Sequence, residues 1–168
     1  MHGRTVYPMK IERCTSEDLV RIQSELERFW GDRQSWELHH PLIVREFPDS
    51  CFVIRLQDVI VCYLLGMMDL GRSYGYIHLV AVRDSQRRRG LARRLYEHFF
   101  DLCRAYGARQ VKAIVAPGNA AAIAFHRRMG FRLFGETIER GVPVMKNYGG
   151  PGKDRVILLR PLPAAPPA

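Results

Sequence analysis

The sequence predicts an α/β domain built on one mixed sheet flanked by helices. Short apolar runs of β character alternate with segments of helical period. Their order reads β-α-α-β-β-β-α-β-α-β-β, which interleaves helices with strands instead of grouping them. A chain of 168 residues, 47% hydrophobic and 26% charged, suits one domain with a sizeable core and excludes compositional disorder. That domain is expected over residues 1–160, with 161–168 as a flexible Pro/Ala tail.

The elements follow in order. A short strand is read near Tyr7 to Arg13, and Thr15-Ser16-Glu17-Asp18 starts a helix. Leu19, Ile22, Leu26 and Phe29 recur at helical spacing until Gly31 stops them. Residues 36–47 form a second short helix, ended by Phe47-Pro48-Asp49-Ser50. Cys51 to Leu56 and Val59 to Met68 are apolar strands joined by the tight turn Gln57-Asp58, and Tyr74 to Val82 is another strand. From Gly90 the period changes, and Leu91, Leu95, Phe99, Leu102 and Tyr106 mark a helix that Gly107 ends. Val111 to Val115 is a strand, and Asn119 caps a compact helix closed by Gly130. Phe131 to Ile138 and Asp154 to Arg160 read as closing strands around a Gly/Pro-rich loop, 141–152.

Composition removes several classes. The longest apolar stretch, Val59 to Met68, is about half of what a membrane-spanning helix needs. The first residues lack the apolar core of a secretion signal. Cys14, Cys51, Cys62 and Cys103 lie far apart, so they read as reduced, buried thiols of a cytoplasmic protein. His39-His40 is the only His cluster, so no metal is expected. The formal charge is +9, and 22 of the 26 cations are Arg. That surplus suits an anionic ligand, or it is simply an Arg-rich surface.

The informative run is His78-Leu-Val-Ala-Val82-Arg-Asp-Ser-Gln-Arg87-Arg-Arg-Gly90-Leu-Ala92. A buried strand ends, a basic loop follows, and a helix begins after Gly90. Unpaired amides at a helix start carry the positive end of its dipole and make a phosphate cradle. Residues 83–94 hold six Arg and one Asp, a net +5 of the +9. A solvated Arg-rich loop is the other reading.

Arg87-x-x-Gly90-x-Ala92 after a Val-rich strand resembles the acyl-CoA-binding motif of the GNAT superfamily of N-acyltransferases. Asn119, then a short helix, Phe125-His126 and Gly130-Phe131, resembles that family's second motif. The element order is similar over roughly residues 5–160. The ending Tyr148-x-Gly-Pro-Gly-x-Asp-Arg155 resembles a bacterial branch of the family, small-molecule acetyltransferase-like, and names no substrate. The resemblance implies a central mixed, mostly antiparallel sheet, opened between two strands into a cleft for acetyl-CoA as co-substrate. It implies pantetheine contacts at Val80, Ala81 and Val82, and a diphosphate held by Arg87, Arg88, Arg89, Gly90, Leu91 and Ala92. Asn119 either bonds the pantetheine arm or only caps its helix.

Many family members carry at position 126 a Tyr that protonates the departing thiolate. Here it is His126, which either keeps that role as general acid or only bonds a cofactor oxygen. His78 lies four residues before Val82, where other members also carry a His. It is read as a general base, or as a histidine bonded within the sheet. Alternation sets Tyr76, His78, Val80 and Val82 on one strand face.

Acceptor selection is expected from Trp30, Arg33, Trp36 and His40 in the early helices and from Tyr148 in the late loop. Trp30 and Trp36 read equally well as core packing. The implied function is transfer of acetyl from acetyl-CoA to a primary amine of a small molecule, by direct attack in a ternary complex. Protein amino termini or lysines are a substrate variant of it. One alternative is an aminoacyl-tRNA-dependent aminoacyltransferase, with tRNA contacted by the remaining +4 of charge and Arg127-Arg128. Another is a module that binds CoA or a partner without catalysis. The expected partners are the amine and the CoA thioester, with no membrane, and a homodimer is left open.

Overall fold

The computed structural model describes residues 9–31, 34–69, 71 and 73–163. Tyr7, Arg33 and residues 164–168 of the expected tail lie outside the described residues. The fold is of the predicted α/β class, with a mixed sheet. The chain divides into two compact units, the first comprising residues to Met67 together with Leu79–Phe99, the second Met68–His78 and the residues from Phe100 onward.

In the first unit, β1 (Ile11–Arg13) pairs antiparallel with β2 (Cys51–Leu56), which pairs antiparallel with β3 (Val59–Asp69). The β2–β3 hairpin closes at Leu56↔Val59 over the expected Gln57-Asp58 turn, with Gln57 at φ +55. Thr15 caps α1 (Ser16–Ser24) through a capping box. Its hydroxyl accepts from the Asp18 amide at 3.1 Å, and the Asp18 carboxylate accepts from the Thr15 amide at 3.0 Å. Buried Asp18 also accepts from Arg55 at 2.8 Å, and Arg55 bonds Glu12 at 2.7 Å, which ties the helix start to β1 and β2. Burial opposes ionisation of Asp18, but the Thr15 amide and the Arg55 guanidinium outweigh it and hold the carboxyl below its usual range.

The helix expected to run unbroken to Phe29 is corrected to two. Glu25, at φ −121 and ψ 23, breaks it, and α2 (Leu26–Trp30) follows, ended by Gly31 at φ +80. The apolar spacing survives the break. Leu19, Ile22, Leu26 and Phe29 are buried in one cluster with Val53, Tyr63, Leu65 and Leu79, each worth about 1.5–3 kcal/mol of burial. The helix expected over 36–47 is also two pieces, a 3₁₀ turn (Gln34–Leu38) and α3 (Pro41–Glu46). Pro41 lacks an amide hydrogen and is tolerated only in a first turn, so the helix restarts there.

Four further strands follow in hydrogen-bonded order, and the first of them belongs to the second unit only as far as His78. β4 (Tyr74–Val82) runs parallel to β5 (Gln110–Val115), which is antiparallel to β9 (Val156–Pro161), and β9 to β6 (Arg132–Phe134). Leu158 and Val111 are fully buried in this sheet, and α5 (Ala120–Arg128) contributes buried Ile123 and His126. The strand expected over Phe131 to Ile138 is interrupted, and part of the expected 141–152 loop is strand. β7 (Thr137–Glu139) and β8 (Val142–Val144) form a separate hairpin over Arg140-Gly141, both at positive φ. The closing strand also runs past the expected boundary: Pro161 belongs to β9, and Leu162 is buried with its amide on the Arg109 carbonyl at 2.8 Å.

Candidate active site

The parallel β4–β5 ladder runs only from Tyr74↔Gln110 to Ile77↔Ala113, although β4 continues to Val82 and β5 to Val115. Beyond Ile77 the burial of β4 still alternates. Leu79 and Ala81 are buried, while His78, Val80 and Val82 are half-buried. Among the expected pantetheine contacts, Ala81 therefore points the other way from Val80 and Val82 and could contribute only its backbone.

The loop after β4 is anchored at both ends within the first unit. Arg83 bonds the Ile60 carbonyl at 3.1 Å and the Glu25 carboxylate, and lies over the Phe29 ring at 5.2 Å. Arg87 donates to the Phe29 carbonyl at 2.9 Å. Arg87 is thus occupied, whereas Arg88 and Arg89 are exposed and have no side-chain hydrogen bond or ion pair among the described residues. The side-chain oxygen of Gln86 in this loop is buried without a partner among the described residues.

Gly90 has φ +75, and a side chain built there would meet nothing within 4 Å. Helix α4 (Leu91–Ala105) follows, and its first helical bond is Arg94 N–H to the Gly90 carbonyl at 3.1 Å. The amides of Leu91, Ala92 and Arg93 have no carbonyl four residues back within the helix. An open, left-handed glycine, two uncommitted guanidinium groups and the positive end of a 15-residue helix dipole give this end of α4 a chemistry suited to an anion.

In the second unit, Asn119 caps α5, its side-chain oxygen accepting from the Ala122 amide at 3.0 Å. His126 is buried beneath Phe125 and Phe131, edge-on to both rings. Its Nδ1 lies 2.8 Å from the Ala122 carbonyl, which can only accept, so the ring's proton is on Nδ1 and Nε2 is left as an acceptor. Burial holds its pKa below the usual histidine value, against the opposing pull of that carbonyl. In this arrangement the Nδ1 proton is turned into its own helix and the ring packs between two phenylalanines.

His78 is half-buried, 6.1 Å from Tyr76 between ring centroids, on the same face as Tyr74 and Tyr76. Lys112 stands opposite Tyr76 in the ladder. Tyr148, expected at the acceptor, does join this group, its hydroxyl accepting from Lys112 at 2.6 Å. Lys112 escaped sequence reading. Its only signal was a lysine between Val111 and Ala113, at the non-buried position of an alternating strand.

Other acceptor candidates are otherwise engaged. Trp30 donates to the Tyr63 hydroxyl at 2.6 Å, and that hydroxyl lies 2.7 Å from Nε2 of fully buried His39, whose Nδ1 meets the Ser35 carbonyl at 2.7 Å. This run of hydrogen bonds links all three side chains internally. His40 caps α3 through Nδ1, accepting from the Leu42 amide at 3.3 Å. Trp36 is exposed. All four thiols are buried, and burial raises them to about 11 at Cys51, about 12 at Cys62 and Cys103, and further at Cys14. Such thiols stay protonated and are poor nucleophiles. Among the described residues no group of His, Cys, Asp and Glu could hold a metal ion, and no helix is long and apolar enough to cross a membrane.

The chain is similar to the L-methionine sulfoximine/L-methionine sulfone acetyltransferase of Pseudomonas aeruginosa, 41% identical over 64 residues. That match takes in 38% of this chain and 37% of the relative, so the chain spans little more than a third of it. It is 25% identical over 130 residues to an N-alpha-acetyltransferase of Saccharolobus solfataricus, covering 71% of this chain and 73% of that one. Among solved structures, a Salmonella typhimurium acetyltransferase with its cofactor acetyl-CoA superposes with a TM-score of 0.65 at 20% identity, over 96% of this chain and 99% of that one. The model of the acetyltransferase (GNAT) family matches residues 16–131, across the capped first helix, the β4 loop and the Asn119 helix through to Phe131, and the chain belongs to that family.

Proposed function

We propose that the protein transfers acetyl from acetyl-CoA to the primary amine of a small molecule by direct attack. The observation that carries the reading is the amino end of α4, with open Gly90 at φ +75 beside uncommitted Arg88 and Arg89. In this reading the amides of Leu91–Arg93 hold the diphosphate, and the edge of β4 past Ile77, where its ladder with β5 has ended, takes the pantetheine. Family membership and a fold neighbour that holds acetyl-CoA support the donor. The buried, protonated thiols support direct attack over an acyl-cysteine route. The 41% identity to an enzyme named for a small amino acid supports a small acceptor over a protein one.

The amine nitrogen attacks the thioester carbonyl, and backbone amides of β4 near Val80 stabilise the oxyanion. The carbon–sulfur bond then breaks. His78 takes the proton the amine loses, and the CoA thiolate takes one from solvent, so the reaction is balanced as amine plus thioester to amide plus thiol.

Calorimetry on Gly90 variants tests the donor site. Gly90→Asn keeps a residue that tolerates positive φ and should bind acetyl-CoA within about threefold of wild type. Gly90→Glu adds negative charge at the cradle and should weaken binding more than about tenfold. Equal affinity in both variants, or tRNA in place of CoA co-purifying with the protein, overturns the assignment.

A further inference from the structure

Within the second unit, one face of the β4–β5 ladder carries Tyr74, Tyr76, His78 and Lys112. The residues between them, Gly75, Ile77, Val111 and Ala113, are buried on the other face. The Lys112 ammonium lies 5.8 Å from the Tyr74 ring centroid and 5.1 Å from that of Tyr148, and donates to the Tyr148 hydroxyl. Among the described residues no carboxylate pairs with Lys112. Two acids that flank the late loop, Glu139 and Asp154, both pair with Lys146. Arg155 adds a second cation. Its Nη1 donates to the Asp154 carbonyl at 2.8 Å, and its charge acts on the half-buried Tyr76 hydroxyl.

The loop that presents Tyr148 is fixed. Asp154 accepts from the Asn147 amide at 2.9 Å, Asn147 accepts from the Gly152 amide at 2.7 Å, and Met145 bridges to Arg155. Lys112, which has no carboxylate pair among the described residues, and Arg155, whose charge is shared with the Asp154 carboxylate, set positive charge among tyrosines where it can meet an anion. His78 is two residues along the strand and one strand across from Lys112, about 8 Å between backbones on the same face. The ammonium now leans toward Tyr74 and the Tyr148 hydroxyl, and a turn of this flexible side chain toward His78 would suit a ligand whose amine and anion lie a few bonds apart.

We infer that the acceptor is an amine that also carries a carboxylate, an amino acid or close analogue, with Lys112 and Arg155 reading the carboxylate while the amine faces His78. This rests on the acetyl-transfer reading above. It adds a substrate class and makes Lys112 the specificity-determining residue.

The test is CoA release from acetyl-CoA with free L-amino acids, L-methionine sulfone among them, each beside its carboxamide and a dipeptide amide. The best free acid should exceed its carboxamide by about tenfold or more in kcat/KM. Lys112→Gln should raise KM for the acid by about tenfold with little change in kcat, collapse the acid-to-amide ratio toward one, and leave the KM for acetyl-CoA within about twofold. Lys112→Arg, which keeps the charge, should restore the preference. Carboxamides or dipeptide amides used as well as free acids overturn the inference, as does a Lys112→Gln loss equal on acid and amide. If no acid or carboxamide is acetylated although calorimetry shows acetyl-CoA bound, the inference falls and donor binding stands. If acetyl-CoA does not bind, both fall.

Discussion

His126 occupies the position where the family's general acid is expected, yet its Nδ1 proton is committed to the Ala122 carbonyl at 2.8 Å and its ring is packed between Phe125 and Phe131. The two roles separate by experiment. Removing a general acid costs about 10²-fold or more, whereas His126→Phe, filling the same apolar site, should keep kcat/KM within about threefold. The stability of the variant gives a second readout. Burial holds the folded-state pKa below 6.5. Above pH 6.5 the ring is neutral folded and unfolded, and pH has no effect through it. As pH falls below 6.5 the unfolded chain takes up the proton first, so stability is lost down to the folded pKa and then levels off. Urea midpoints at pH 7.5 and pH 5 should therefore fall further for wild type than for His126→Phe. An equal fall in both would show that the ring does not sit neutral in the fold. Sequence located this side chain in the right helix and motif. It could not say which way the imidazole turned, because that depends on Phe131 in the next segment and on a carbonyl four residues back.

Gly66 interrupts the apolar run of β3, and packing explains it: a Cβ there would sit 2.5 Å from the Phe99 ring of α4 and 2.9 Å from the Ser50 carbonyl. The Ser50 hydroxyl and the Cys51 thiol both donate to the Gly66 carbonyl, so neither the backbone nor the neighbouring strand can give way. Gly66→Ala should cost about 1–3 kcal/mol by overpacking, read as a lower urea midpoint with an unchanged m-value. A neutral result would mean that α4 is free to shift off β3. Elements whose signals are local were legible in the sequence: the helix start at Thr15, the Gln57-Asp58 turn, the Asn119 cap and the glycine before α4. The breaks were not. Glu25 is a good helix former, and what ends α1 there is its backbone geometry, together with the packing of the two halves into one cluster. Val142-Pro143-Val144 read as loop because proline argues against a strand, but β8 is half of an isolated two-stranded hairpin, where a missing amide is tolerated. The tyrosine-lined face of β4 was half-read. Tyr76, His78 and Tyr148 were named, while Lys112 joins them only through a parallel pairing between segments 36 residues apart.

Charge acts at the scale of the whole chain, and its distribution decides between a compact donor and a polyanion. Of the formal +9, several arginines are neutralised locally: Arg13 by Asp49, Arg21 by Glu17, Arg55 by Glu12 and Asp18, and Arg104 by Asp101. Arg88 and Arg89 remain uncommitted beside the α4 amino end, and Arg127 and Arg128 remain exposed at the end of α5. A tRNA donor would engage both groups and release a counterion for each backbone phosphate contacted, whereas CoA offers only a diphosphate and one ribose phosphate. Acetyl-CoA affinity should therefore fall with salt on a log–log slope no steeper than about −2 between about 50 and about 300 mM. Replacing Arg127 and Arg128 together by Ser should leave that slope and the affinity where they were, while replacing Arg88 and Arg89 should flatten the slope by about one. Displacement of acetyl-CoA by tRNA, with a slope near −5 that the Arg127/Arg128 substitutions reduce, would instead assign the surplus to a nucleic-acid backbone. The two outcomes differ because salt reports how many phosphates a surface neutralises, and the α4 cradle, with three free amides and two uncommitted guanidinium groups, is sized for very few.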